Sequence, residues 1–183
     1  DIAGFPIANY IANSTFSENT ATEQGGAIFH LREDVLFALV NVTISGNTAA
    51  EGGGIYNNGD GDSPDTTFDE VFLQNTIVSD NSAPTGANCA GGTVSADGAN
   101  NVVSPGANGC PSAVANSDSP ILGSAELTFS IPSIVTYVQP LGSKSSALGA
   151  GNEAVCEGPP ILFLDQRAFP RPMRDPNCDI GAY

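Results

Sequence analysis

Asn41-Val-Thr-Ile-Ser-Gly-Asn47-Thr-Ala49, followed by Gly53-Gly-Ile-Tyr56, is a passage this chain repeats. Upstream it reads Asn13-Ser-Thr-Phe-Ser-Glu-Asn19-Thr-Ala21, with Gly25-Gly-Ala-Ile-Phe29 after it. Downstream it reads Asn75-Thr-Ile-Val-Ser-Asp-Asn81-Ser-Ala83. The offsets are 28 and 34 residues. Recurrence at such a period is the mark of stacked repeat units. Each unit reads as a short strand, an asparagine turn, a glycine-rich corner and a second short strand. Strands of this length and polarity do not make a stable sheet alone. Stacking cures this, because coils ~4.8 Å apart pair equivalent residues as parallel strands.

The register follows from the repeats. Phe16, Ile44 and Val78 form one interior stack, and Ile28 or Phe29 with Ile55 or Tyr56 forms another. Asn19, Asn47 and Asn81 fall at turns, where asparagine tolerates left-handed backbone and stacked amides bond along the ladder. The longer second offset is assigned to an insertion at Asn57-Asn-Gly-Asp-Gly-Asp-Ser-Pro-Asp65, since such insertions map to loops on one face.

Composition narrows the function classes. Gly, Asn, Ser and Thr supply 66 of 183 residues, and 20 acids against 5 bases leave a net charge of −15. Residues 1–143 carry fifteen of the acids and a single base, Arg32; residues 144–183 carry five acids with Lys144, Arg167, Arg171 and Arg174. A body so acidic argues against nucleic acid, whose phosphates need clustered Lys and Arg, and against anionic lipid. No apolar run reaches the ~20 residues of a membrane helix, so direct membrane insertion is not expected.

The motifs resemble two families of surface proteins. Phe16-Ser-Glu-Asn19 with Gly25-Gly-Ala-Ile28 is similar to the Phe-x-x-Asn and Gly-Gly-Ala-Ile pair of polymorphic outer-membrane protein repeats. Asn75-Thr-Ile-Val78, Ala83-Pro-Thr-Gly-Ala-Asn-Cys89, Asp165-Gln-Arg167 with Arg171-Pro172, and Cys178-Asp-Ile-Gly-Ala-Tyr183 resemble the choice-of-anchor Q domain of bacterial surface proteins. The one departure is Ala168, where that pattern usually has Gly. Both resemblances imply a right-handed, single-stranded parallel β-helix exported to the cell surface. The expected organisation is one domain, with coils over 1–111 and a last coil plus an irregular, disulfide-stapled C-terminal cap over 112–183.

Four cysteines allow three pairings. None has Cys-x-x-Cys spacing, which disfavours zinc and thioredoxin chemistry. The local pairs, Cys89 with Cys110 and Cys156 with Cys178, are expected, in an oxidising compartment. Asp165, Arg167, Arg171 and Arg174, near Asp175 and Asp179, suggest a structural clasp in which guanidinium forks grip carboxylates, with an anionic-ligand site as the rival reading. Asp60, Asp62, Asp65, Asp69 and Glu70 lie within eleven residues. Alternate Asp with intervening Gly suits Ca²⁺, so Asp60, Asp62 and Asp65 are the candidate ligands and calcium the only cofactor considered; a solvated acidic loop is the plainer reading. His30, the single histidine, is given no role.

These readings favour a non-catalytic extracellular module with a structural, adhesive or assembly role in a larger surface protein or filament. The alternative is a carbohydrate-active β-helix enzyme, glycosidase or lyase, with Glu33, Asp34 or the acids of residues 60–70 as candidates. A glycosidase needs two carboxylates across a cleft, and nothing in the spacing pairs them. The strong negative charge would also repel an acidic polysaccharide. Expected partners are other surface proteins, copies of the chain stacking on the N-terminal coil, or glycans. No capping segment is evident before the first repeat, and Tyr183 stops one residue before the Glu that usually completes its motif; both ends are expected to be cuts through a longer chain.

Overall fold

The computed structural model describes residues 9–31, 36–59, 70–96, 100–104, 109–110, 122–130, 134–171 and 177–183. Among them the chain is almost entirely β, with parallel strands in stacked sheets. The first tier comprises β1 (Asn9–Ala12), β2 (Thr15–Ser17) and β3 (Ile28–His30). The second comprises β4 (Phe37–Val40), β5 (Thr43–Ser45) and β6 (Ile55–Asn57), and the third β7 (Val71–Gln74), β8 (Ile77–Ser79) and β9 (Cys89–Gly91). A fourth adds β10 (Val94–Ala96) and β11 (Val102–Val103). Three parallel sheets result, in the orders β1-β4-β7-β10, β2-β5-β8-β11 and β3-β6-β9.

The register is the one the repeats require. Phe16 lies opposite Ile44, Ile44 opposite Val78, and Val78 opposite Val103. Ile44 and Val78 are fully buried and Phe16, in the outermost tier, is partly so. In the third sheet Ile28 and Ile55 point inward, whereas Phe29 and Tyr56 stack outside, ring centroids 5.7 Å apart. Repeat units of two strands do not describe the tiers, because the strand preceding each asparagine turn is also present. Phe37-Ala-Leu-Val40 and Val71-Phe-Leu-Gln74 do not alternate cleanly, since both their faces are covered. Two-sided burial yields such continuous apolar runs.

The corners explain the conserved spacing inside each repeat. Left-handed backbone falls at Asn13, Asn41 and Asn75 (φ 45°, 53° and 46°), and again at Glu18, Gly46 and Asp80. Asn19, Asn47 and Asn81, where it was expected, are not left-handed; each follows the left-handed residue and turns its amide along the stack. Gly52 and Gly53 have separate duties. Gly52 adopts φ +60°, while a Cβ on Gly53 would lie 2.5 Å from the Ala87 carbonyl oxygen of the next tier. The extra residues of the 34-residue offset fall between β6 and β7.

Among the described residues the C-terminal segment lies along the flank of the stack. A hairpin of β12 (Glu126–Ser130) and β13 (Ile134–Val138) precedes it, and it contains one short helix, α1 (Glu153–Glu157). From there it runs along the flank as a strap. Asn100 Nδ2 donates to the Ala150 carbonyl at the fourth tier, and Asn75 exchanges two bonds with the Asn152 backbone at the third. Asn13 Nδ2 donates to the Leu164 carbonyl at the first tier. The chain then returns, with Gly181 N donating to the Asn75 carbonyl and Ala182 N to Thr43 Oγ1. Apolar residues drive this path. Cys156, Ile161 and Cys178 pack on Ala38 and Val40, the outward side chains of β4, and Ile180 packs on Ile77 and Val102. The described part of the strap covers an apolar flank.

Candidate functional site

Two constructions concentrate the polar chemistry of the described residues: an asparagine ladder inside the tiers and the anchor of the strap outside them. In the ladder, Asn19 N and Nδ2 both donate to Asn47 Oδ1, at 3.0 and 2.9 Å. Asn47 N and Nδ2 both donate to Asn81 Oδ1 at 2.9 Å. Asn81 N and Nδ2 in turn donate to Asn88 Oδ1. Asn47 and Asn81 thus each accept from the asparagine of the preceding tier, while their Nδ2 groups also donate back to the Phe16 and Ile44 carbonyls of that tier. Asn47 is fully buried, and a buried amide is tolerable because its bonds are satisfied.

The Asp165-Gln-Arg167 motif builds the anchor, each residue in a different way. Asp165, buried, accepts from the backbone N–H groups of Arg167 and Phe169 and closes its own turn. Arg167 pairs with Asp165 Oδ2, donates to the Tyr183 hydroxyl at 3.0 Å, and lies over the Tyr183 ring, 4.0 Å from its centroid. Gln166 is a bridge: its Oε1 accepts from Thr15 of β2, and its Nε2 donates to Thr136 and to the Tyr137 carbonyl of β13. Ala168 has φ +62°, so the position that departs from the glycine pattern is left-handed, at a cost of roughly 1 kcal/mol.

Arg171 departs from the expected carboxylate grip. Its Nε donates to the Leu164 carbonyl, Nη1 to the Asp179 backbone carbonyl, and Nη2 to Asn13 Oδ1. With its amide turned to satisfy both groups, Asn41 also accepts from Nη1 and Nη2 at 3.2 Å. The guanidinium is thus held by neutral oxygens from two tiers, because the strap lays it against the left-handed asparagine corners. Burial pushes its pKa down to about 10, and the nearby charges of Asp165 and Asp179 oppose that shift. It remains a cation at neutral pH.

The disulfides join Cys89 to Cys110 and Cys156 to Cys178. The first sets Cys110 against the interior core; the second lies under the strap on the outer flank. Gly181 of the terminal motif has φ +97°, and a Cβ there would meet Ile77 Cδ1 and Thr43 Oγ1 at 2.8 Å.

The remaining candidates are quickly placed. Asp60, Asp62, Asp65 and Asp69, and with them the calcium expectation, lie outside the described residues, as do Arg32, Glu33, Asp34, Arg174 and Asp175. Glu70 accepts from Ser95 Oγ at 2.6 Å. His30 stacks on Phe37 and meets Asn57 Oδ1 through Nδ1 at 3.0 Å, a corner contact between tiers. Among the described residues no three His, Cys, Asp or Glu side chains gather to hold a metal ion, and no helix is long and apolar enough to cross a membrane.

The family comparison matches two segments that contain ladder asparagines and double glycines. Residues 13–30 and 41–58 match the Chlamydia polymorphic membrane protein repeat. Each matched repeat runs from the left-handed asparagine corner to the end of the third-sheet strand, so it takes in two strands of a tier and omits the one before the corner. No curated protein and no solved structure matches the chain. Sequence reasoning missed Gln166, Asn13, Asn41 and Asn152 as anchor residues. The first asparagine of each repeat was the available signal: it recurs like the ladder asparagine, yet on the outside.

Proposed function

We propose that this chain is a non-catalytic, extracellular module of a bacterial surface protein, built as a right-handed, single-stranded parallel β-helix with its C-terminal segment strapped along one flank. The observation that carries this reading is the union of two repeats of the polymorphic membrane protein type with a stack held in register by buried asparagines. Two disulfides support an oxidising location, where such bonds persist. The role is structural, adhesive or assembly-related. The buried polar groups Asn47, Asp165 and Arg171 are occupied in holding tiers and strap together, which suits a scaffold better than a reaction centre. Partners in this reading are other surface proteins or glycans, and residues 1–111 with 112–183 act as one domain.

The test is made on the cells that produce the protein. Added protease should reach the chain on intact cells, and alkylation before reduction should label none of its four cysteines. Protection until lysis, together with thiols that alkylate without reductant, would overturn the proposal.

A further inference from the structure

Asn57 and Asn58 are neighbours in the chain and opposites in restraint. Asn57, buried at the end of β6, donates from Nδ2 to the Thr93 carbonyl at 2.7 Å, and its Oδ1 meets His30 Nδ1 at 3.0 Å. The backbone N–H that follows it, on Asn58, is spent on the His30 carbonyl at 2.9 Å. Asn58 itself is exposed, and no hydrogen bond among the described residues holds its carboxamide. The N–H that follows it, on Gly59, makes a long bond of 3.3 Å to Asn57 Oδ1, an oxygen that His30 already engages. Among the described asparagines, Asn58 alone precedes a glycine.

That arrangement leaves an asparagine open to attack by its own backbone. The Gly59 nitrogen, losing its proton, bonds to Asn58 Cγ; the Cγ–Nδ2 bond breaks, and ammonia leaves with that proton. Water then opens the cyclic imide at either carbonyl. One opening gives aspartate, and the other gives isoaspartate, whose main chain runs through Cβ and Cγ and is one carbon longer. The balance is a carboxamide and water in, a carboxylate and ammonia out. A Cβ on the residue after the asparagine obstructs ring closure, whereas glycine leaves it open and reaches the required backbone angles freely. At Asn57 the same chemistry would need the bonded Asn58 N–H and a carboxamide already tied to two tiers.

We infer that Asn58–Gly59 is a site of spontaneous, one-way deamidation, and that its isoaspartyl product loosens the adjoining corner of the third sheet. The corner is built closely around these residues. Gly92 N donates to the Asn57 carbonyl at 2.6 Å, and a Cβ on Gly92 would lie 2.9 Å from the Gly59 carbonyl oxygen. An extra main-chain carbon between the bonded Asn58 N–H and Gly59 shifts at least one of these contacts. The new carboxylate also stands just ahead of Asp60 and Asp62 in the sequence. This inference is independent of the surface-module reading.

The test ages the full chain at mildly alkaline pH, where the amide nitrogen loses its proton more readily, and follows it by peptide mapping. Conversion to the acid should be at least about tenfold faster at Asn58 than at Asn57, and Gly59→Ala should slow it by at least about tenfold. Mapping separates this pair from Asn108–Gly109, the other such pair in the sequence. An isoaspartyl carboxyl methyltransferase with a labelled methyl donor should mark the aged chain. Amide exchange should quicken across β6 and β9 while β5 and β8 keep their protection. Asn58→Asp supplies the charge without the extra carbon and should leave that exchange unchanged. Asn58 that survives as long as Asn57, or a rate untouched by Gly59→Ala, would overturn the site. An aged chain that takes no methyl label, unaltered exchange after conversion, or loosening by Asn58→Asp alone would overturn the structural consequence.

Discussion

The tiers and the strap are two solutions to the same problem of burying apolar surface with short, polar segments. In the tiers, one interaction is repeated: a residue pairs with its equivalent one repeat away, as Ile44 does with Phe16 and Val78. In the strap, each bond is made once. Asn152 and Gly181 reach the third tier and Gln166 and Arg171 the first, each through a different bond. The difference extends to charge, since residues 1–143 hold nearly all the negative excess and the last forty residues almost balance. Periodic structure tolerates local variation, because neighbouring tiers share the load of any one position. An aperiodic strap depends on individual residues.

That contrast can be broken experimentally, beginning with the largest effect. Ile44→Asp places a charge in the middle of a closed stack and should destabilise the tiers by about 4 kcal/mol, measured by equilibrium denaturation. A loss under about 1 kcal/mol would mean that Ile44 is not interior. Replacing Cys156 and Cys178 together by Ser should act on the strap instead. Its loop closes over a separation of 22 residues; the chain-entropy model gives roughly 3 kcal/mol for a loop of this size. Amide exchange should accelerate across 150–171 while β5 and β8 keep their protection; equal loosening of both would make strap and tiers one cooperative unit.

Arg171→Lys sharpens the comparison at a single side chain. Lysine cannot reproduce the guanidinium fork between Asn13, Asn41 and Leu164, and the expected loss is about 1–2 kcal/mol. The pH dependence has a definite sign. Arg171 has a folded pKa below its unfolded value, so the unfolded chain binds the proton more tightly and stability from this group rises only as pH climbs through about 10. From pH 6 to 9 both states are charged, and the difference between wild type and Arg171→Lys should stay constant; a slope across that range would contradict the assignment. The smallest effect belongs to the outer face of the third sheet. Phe29→Ala removes an exposed ring from its stack on Tyr56 and should cost about 0.5–1 kcal/mol by thermal melts.

What could be read from the sequence divides along the same line. The tiers were legible because Phe16, Ile44 and Val78 occupy one position in three copies of a motif, and stacking leaves that position a single partner. The strands preceding the corners were not, because an unbroken Phe-Ala-Leu-Val reads as neither period and its second face is covered by residues over a hundred positions away. The two asparagines of each repeat also look alike to propensity, and only the backbone shows that the first bends left-handed while the second bonds along the ladder. Arg171 was visible as a clasp residue, but not its neutral partners. Nothing near it in the chain announces Asn13, at a separation of 158 residues.

That separation bears on how the molecule comes into being. Asn13 and Leu164 are 151 residues apart, so a chain made or threaded from its N-terminus at ~5–20 residues per second waits roughly 8–30 s between the appearance of the two. For most of that interval Ala38 and Val40 have appeared with no Cys156, Ile161 or Cys178 to cover them. The nascent tiers carry a sticky flank, and the residues that will quench it arrive last. A chaperone that holds the tiers until residue 171 has emerged should therefore raise the yield of folded protein, and one released at residue 111 should not.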